Sequence, residues 1–133
     1  MIEIKNIVKQ YNGVPVINNL NLTVNDGEFV VLIGPSGCGK TTTLKMINRL
    51  IEADSGDILI NGKSIHELNG EKLRRNIGYV IQQIGLFPNM TVGQNIGIGP
   101  KMLKWNSQEI KRRVKELLEM IGLDPDKNGL KKK

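Results

Sequence analysis

The sequence is poor in three kinds of feature, and each shortage closes off a class of protein. It holds one cysteine, Cys38, so no disulfide framework is possible. It holds two Phe, two Tyr and one Trp, which gives no platform for stacking single-stranded nucleic acid. It has no apolar run near the ~20 residues that a bilayer-spanning helix requires. Its start, Met1-Ile2-Glu3-Ile4-Lys5, lacks the basic and then apolar order of a secretory signal. The expectation is a cytoplasmic chain. At 133 residues and 39% hydrophobic content, it is long enough for one domain with a real core, or for part of a larger one.

A net charge of +6 invites a nucleic-acid reading, but the distribution of charge argues against it. Residues 1 to 100 hold nine basic and eight acidic side chains, whereas 101 to 133 hold ten and five and end in Lys131-Lys132-Lys133. The excess is a tail, and no nucleic-acid partner is expected.

Against this background one run stands out. Gly34-Pro35-Ser36-Gly37-Cys38-Gly39-Lys40-Thr41 fits the pattern of a glycine, four free positions, then Gly-Lys-Ser/Thr. The apolar run Phe29-Val30-Val31-Leu32-Ile33 leads in and a helical pattern from Thr42 to Ile51 leads away, which is the context a phosphate-binding loop requires. Glycines without a β-carbon let several backbone N-H groups point inward at an anion, and the helix start adds its own N-H groups and dipole. Lys40 is expected to reach the β- and γ-phosphates, and the Thr41 hydroxyl to take one position on Mg²⁺. The phosphate-binding set is Ser36, Gly37, Cys38, Gly39, Lys40, Thr41 and Thr42. Cys38 occupies a free position of the pattern and reads as a small residue that fits.

Elsewhere the patterning predicts strands. Ile2 and Ile4, Val14 and Val16, and Leu20, Leu22 and Val24 alternate with polar partners, and Asn12-Gly13 between them is a hairpin signal. A fully apolar strand is predicted at 29 to 33, a short one at 58 to 60 closed by Asn61-Gly62, and another at 77 to 81. From Leu86 the pattern turns helical. Asn106 and Glu109 resemble a capping box, Gly122 ends that helix, and Ile110, Val114, Leu117, Leu118 and Ile121 share one face, read as core packing or a partner groove. His66 reads as a solvated surface histidine.

Tyr11, the loop from Gly34 to Thr42, Ile77-Gly78-Tyr79-Val80-Ile81-Gln82-Gln83 and Leu86-Phe87-Pro88-Asn89-Met90-Thr91-Val92 together resemble the first half of an ABC transporter ATP-binding subunit. Lys45 to Ile51, Gln82 to Pro88 and Met102-Leu103-Lys104-Trp105 narrow the resemblance to subunits that energise uptake of glycine betaine, carnitine, choline and related osmoprotectants. The resemblance implies an α/β P-loop NTPase core with N-terminal antiparallel strands and the start of a helical subdomain. It implies ATP and Mg²⁺ as ligands, and as partners the transmembrane permease subunits and a second copy of the ATPase subunit, on the inner face of the membrane. Tyr11 corresponds to the aromatic that stacks on adenine, and its alternative is an ordinary tyrosine at a strand end. Gln82 corresponds to the glutamine that touches Mg²⁺ or the attacking water, so that Lys40 and Gln82 form the catalytic set and Thr41 and Gln82 the metal set. Gln83 is the second candidate for that role. Leu86-Phe87-Pro88 is expected to be a contact patch for a membrane subunit.

The same family carries a Leu-Ser-Gly-Gly-Gln segment, an apolar strand ending in Asp-Glu and a switch histidine. None is in this sequence: Ile58 to Ile60 is followed by Asn61, Ile77 to Ile81 by Gln82, and His66 precedes the glutamine loop. The sheet is therefore expected to be incomplete and hydrolysis absent, with a non-catalytic nucleotide-binding fragment or regulatory remnant as the competing reading. A small kinase or GTPase fits less well, given the antiparallel start, Tyr11 and the Gln82 region. The expected organisation is a nucleotide-binding core over 1 to 84, a helical segment over 85 to 123, and a basic tail over 124 to 133 that leaves the family's pattern and looks like a truncated or non-native end.

Overall fold

The computed structural model describes residues 1 to 82 and 85 to 125. They form two units, Met1–Tyr79 and Val80–Lys133.

The first unit is built on a hairpin. Strand β1 (Ile2–Tyr11) pairs antiparallel with β2 (Val14–Val24), and Asn12 and Gly13 turn the chain with φ of 50° and 77°, as the Asn-Gly signal requires. The alternating residues predicted as separate short strands are one continuous β2. Both strands are bulged: Asn6 and Asn19 take left-handed φ of 51°, and the register shifts between Ile4 and Ile7. Asparagine tolerates that conformation, and Asn21 Oδ1 accepts the Asn6 N-H at 2.9 Å, so the bulge leaves no orphan donor. Helix α1 (Lys40–Ile47) follows, then β3 (Ser55–Ile60), which pairs with the other edge of β1, and β4 (Lys63–Ser64). The sheet order is β2-β1-β3-β4, all antiparallel. A short helix α2 (Gly70–Arg75) is capped by Asn69, whose side chain accepts from Glu71 and Lys72 N-H.

Ile4, Ile7, Ile17, Met46, Ile58, Ile65 and Leu73 form the buried core, so α1 and α2 each contribute a residue to a core made mainly by the sheet. Arg49 follows α1 in a left-handed conformation, φ 52°, and its guanidinium donates to Ile65 O at 3.2 Å, Leu68 O at 3.0 Å and Glu52 at 3.0 Å. These bonds tie the end of α1 to the segment after β4.

Two predicted strands are corrected. Residues 29 to 33 and 77 to 81 make no ladder with any described residue, and Phe29, Ile33 and Val80 are 90%, 90% and 95% exposed. A fully apolar run suits a strand buried on both faces of a parallel sheet. Such a strand exists only with a neighbour to pair with, and the sheet formed by the described residues is antiparallel and lies elsewhere.

In the second unit, α3 (Val92–Met102) opens on a capping box between Thr91 and Gln94, and α4 (Ser107–Met120) on the predicted one between Asn106 and Glu109. Leu118 is buried and Ile110, Val114 and Leu117 are half-buried, as the helical face predicts. Ile121 departs from that face because the helix has ended: it is 64% exposed, and Gly122 follows with φ 74°.

Candidate functional site: a phosphate cradle

The glycine-rich run lies in the first unit, between residues 29 to 33 and α1. Gly37 and Gly39 have φ of 83° and 92°, conformations that L side chains avoid. At Gly39 space forbids a side chain as well. A β-carbon there would come within 2.9 Å of Ile17 Cγ1 and 3.1 Å of the Val16 carbonyl oxygen. The loop is therefore pressed against β2, the second strand of the hairpin that carries Tyr11.

Gly39 also begins α1, and being glycine it offers no side-chain cap; no acidic residue lies in the first turn. Helices α2, α3 and α4 all carry a polar side chain at that place. In α1 the first intrahelical bond is Thr43 N-H to Gly39 O at 2.8 Å, so the N-H groups of Lys40, Thr41 and Thr42 have no intrahelical acceptor. Three uncapped donors at the positive end of a helix dipole suit an anion. Thr43 is turned inward and buried, its hydroxyl donating to Gly39 O at 3.0 Å, whereas Thr41 is exposed with its hydroxyl at the helix start.

Lys40 spans the loop. Its Nζ donates to Gly34 O at 2.8 Å, Pro35 O at 2.7 Å and Cys38 Sγ at 3.5 Å, which occupies all three ammonium donors. The cation is thus held within the loop by neutral acceptors, and a phosphate oxygen, being charged, is the stronger acceptor. Cys38 is exposed and its sulfur faces that ammonium; a β-carbon on Gly34 would lie 2.7 Å from that sulfur. Ser36 and Gly37 are exposed at the rim, and Thr42 is half-buried. Behind the loop is a cavity of about 360 Å³ lined by Val16, Ile17, Val31, Ile33, Gly39 and Thr43 among others.

Tyr11 ends β1, with its ring about half exposed and Lys9 Nζ 5.5 Å from the ring centroid. Sequence reasoning missed the residue that holds this end in place. Asp54, before β3, accepts Lys9 Nζ at 2.7 Å and the Gln10 N-H at 2.6 Å, and its own N-H donates to Val8 O at 2.9 Å. The Lys9 bond, with the Gln10 N-H second, holds the Asp54 carboxyl below the usual carboxylate range. A carboxylate depressed in this way stabilises the folded state at pH above its unfolded value, and that contribution is lost as the pH falls through the folded one.

Gln82 belongs to the second unit, exposed in a bend, and Gln83 lies outside the described residues. Leu86 and Phe87 are 47% and 51% exposed. Their turn is locked by Asn95, whose Oδ1 accepts the Phe87 N-H at 2.8 Å and whose Nδ2 donates to Phe87 O at 3.2 Å and Thr91 O at 3.0 Å. A concavity of about 820 Å³ lies between α3 and α4, lined by Gly97, Ile110, Val114 and Leu118 among others. It is larger than the cavity behind the loop but holds no glycine-rich turn. His66 is exposed, 3.6 Å from Glu52. Residues 126 to 133 of the predicted tail lie outside the described residues.

A glycine loop pressed onto a strand, a lysine threaded through it and an uncapped helix start are the features of a P-loop NTPase core. Residues 17 to 133 match the family model of the ABC transporter, and the chain belongs to that family. It is 55% identical over 132 residues to the osmoprotectant import ATP-binding protein OsmV of Salmonella typhimurium, covering 96% of this chain and 35% of that protein. It is 54% identical over 127 residues to the choline transport ATP-binding protein OpuBA of Bacillus subtilis, covering 95% and 33%. Among solved structures it is similar to the ATP-binding cassette MJ0796 in a dimeric post-hydrolysis state bound to ADP and Pi, with a TM-score of 0.81, 32% identity, and coverage of 97% of this chain and 60% of that one. The fold is that of an ABC ATPase cassette with its sheet incomplete. The chain spans about a third of the length of the curated relatives it matches. No helix among the described residues is long and apolar enough to cross a membrane.

Proposed function

We propose that the chain is the nucleotide-binding part of an ATPase subunit that energises import of quaternary-amine osmoprotectants. The observation that carries this is the cradle itself: three uncapped N-H groups, from Lys40 to Thr42, beside a lysine held by exchangeable acceptors. These residues fit a triphosphate, because the donors are arrayed without a competing carboxylate in the first turn and Gly39 leaves no room for a side chain. ATP would be held by Ser36 to Thr42, with Lys40 on the terminal phosphates and Tyr11 against the base. Mg²⁺ would take the Thr41 hydroxyl, and its charge would offset that of the phosphates.

The solute class rests on the relatives. Those at 52 to 55% identity are named for osmoprotectant, choline, or glycine betaine, carnitine and choline transport. Transmembrane permease subunits are the proposed partners, with Leu86-Phe87-Pro88 as the apolar contact and a position on the inner membrane face. A second copy of the subunit is proposed from the dimeric cassette structures that resemble this fold.

Titration of the purified chain with ATP, with and without Mg²⁺, tests the reading. Lys40→Ala should weaken ATP by about tenfold to a hundredfold, since a hydrogen bond to a charged group contributes about 1.5 to 3 kcal/mol. The same variant loses the brace to Gly34 and Pro35, so its urea midpoint should be measured alongside. Unchanged ATP affinity would overturn the phosphate-site assignment.

A further inference from the structure

The end of β1 is unusual in how it is held. Its partner β3 begins at Ser55, which pairs with Val8, so the β1–β3 ladder stops three residues before Tyr11. On its other side Gln10 lies opposite Pro15 and Tyr11 opposite Val14, next to a two-residue turn. A strand end with one ladder missing is free to fray. Asp54 supplies what the ladder does not: one carboxylate oxygen accepts the Gln10 N-H at 2.6 Å, and the other accepts Lys9 Nζ at 2.7 Å. The lysine is drawn down beside the strand, with only 14% of its side chain exposed, and its ammonium sits 5.5 Å from the Tyr11 ring centroid.

We infer that Asp54 is the positioning residue of the base-stacking platform, acting on Tyr11 through Lys9 and the Gln10 backbone. The inference rests on the proposed role of Tyr11. A stacking contact depends on the angle and position of the ring, and among the described residues none pairs with Tyr11 on the β3 side to set them. The carboxylate fixes the backbone one residue before the ring. It also orients the ammonium that faces the ring, so that the ring is held from one side and its remaining surface is available to a base. The hairpin that carries Tyr11 continues into Val16 and Ile17, the residues pressed against Gly39. A displaced strand end would therefore alter where the base sits relative to phosphates held in the cradle.

This differs from a purely structural ion pair in what it predicts. Loss of stability weakens every ligand alike, whereas loss of positioning weakens only ligands that carry a base. The full 133-residue chain is titrated with Mg²⁺-ATP and with Mg²⁺-tripolyphosphate, in wild type, Asp54→Ala, Asp54→Asn, Lys9→Met and Tyr11→Ala. Tyr11→Ala should weaken ATP by about tenfold and leave tripolyphosphate unchanged, the scale of a single base-aromatic stacking contact. Asp54→Ala should weaken ATP by about two- to fivefold with tripolyphosphate unchanged, the scale of an exposed cation-π contact and the ordering that goes with it. Asp54→Asn, which keeps an acceptor for Gln10 but not the charge on Lys9, should fall between wild type and Asp54→Ala. In a Tyr11→Ala background, Asp54→Ala should have no further effect on ATP.

Tripolyphosphate affinity also reports whether each variant is folded, and the milder Asp54→Asn and Lys9→Met keep the test open if Asp54→Ala unfolds. An equal loss of ATP and tripolyphosphate in the folded Asp54 variants overturns the inference, as does additivity with Tyr11→Ala. If Tyr11→Ala itself leaves the ratio of the two affinities unchanged, the stacking role of Tyr11 falls and this inference with it.

Discussion

Purified chain mixed with Mg²⁺-ATP is expected to bind the nucleotide and to release no phosphate above the rate shown by its Lys40→Ala variant. Transfer of the γ-phosphoryl group is almost entirely a matter of positioning an attacking water and stabilising charge spread over the phosphoryl oxygens. The cradle supplies one half of this. On the proposed reading, Lys40 and the helix N-H groups would hold the phosphates from the loop side. The other half needs a carboxylate to take a proton from the water, a second to steady the metal, and donors that close over the γ-phosphate from outside. The resemblance assigns these to an Asp-Glu pair ending an apolar strand, a Leu-Ser-Gly-Gly-Gln segment and a histidine beyond the glutamine loop, and the 133 residues hold no such pair, no such segment and no histidine after Gln82. General-base assistance alone is worth about 10² to 10⁴ in rate, and each oxyanion donor about 10² to 10³. Losses of that size are expected to put turnover by the 133-residue chain below detection, with the proposed binding retained. Steady phosphate release that disappears in Lys40→Ala would show a complete catalytic site within these residues and overturn the expectation.

The parts of the site that could be read from the sequence are those whose geometry is local. The cradle lies within eight residues, and its glycines declare backbone conformations that no other residue adopts freely; the same holds for the Asn12-Gly13 turn and for the Asn106 and Glu109 capping box. Two further helix starts carry equally local signals that the hydrophobic patterning passes over. Asn69 followed by Glu71 caps α2, and Thr91 followed by Gln94 caps α3. What could not be read is what depends on distant partners. Asp54 reaches Lys9 and Gln10 across 45 and 44 residues, and nothing in the run Ala53-Asp54-Ser55-Gly56 signals that contact. The apolar runs at 29 to 33 and 77 to 81 failed as strands for a related reason. Hydrophobic patterning reports a tendency to be buried, whereas strand formation requires a specific neighbour, and no described residue provides one.

Gly56→Ala is expected to destabilise the first unit by about 4 kcal/mol or more, close to its whole stability. Gly56 sits at the start of β3 with φ of 88°, where any side chain suffers, and the left-handed conformation alone costs an L-residue about 1 to 2 kcal/mol. Crowding costs more than the backbone angle does. An added β-carbon would lie 2.5 Å from both the Lys5 and Asn6 carbonyl oxygens and 2.6 Å from the Asn6 carbonyl carbon. These are backbone atoms of β1, at the bulge where Asn6 already holds a left-handed φ, so no side chain can rotate away to make room. Relief requires β3 to move off β1, which separates the Lys5–Asp57 and Val8–Ser55 pairings and exposes Ile58, now 1% exposed. Full burial of one such side chain is worth about 1.5 to 3 kcal/mol. Domains of this size have about 0.05 to 0.15 kcal/mol of stability per residue, so a unit running from Met1 to Tyr79 has little to spare. The strain is confined to β1 and β3, yet it should also reach the cradle, because β1 carries the hairpin whose second strand is pressed against Gly39. Urea titration followed by far-ultraviolet circular dichroism should show a lowered midpoint or no folded baseline, with ATP binding lost in parallel. A midpoint shift equivalent to less than about 1 kcal/mol, on the scale of an ordinary surface substitution, would show that β1 and β3 do not approach as closely at Gly56 as the structure places them.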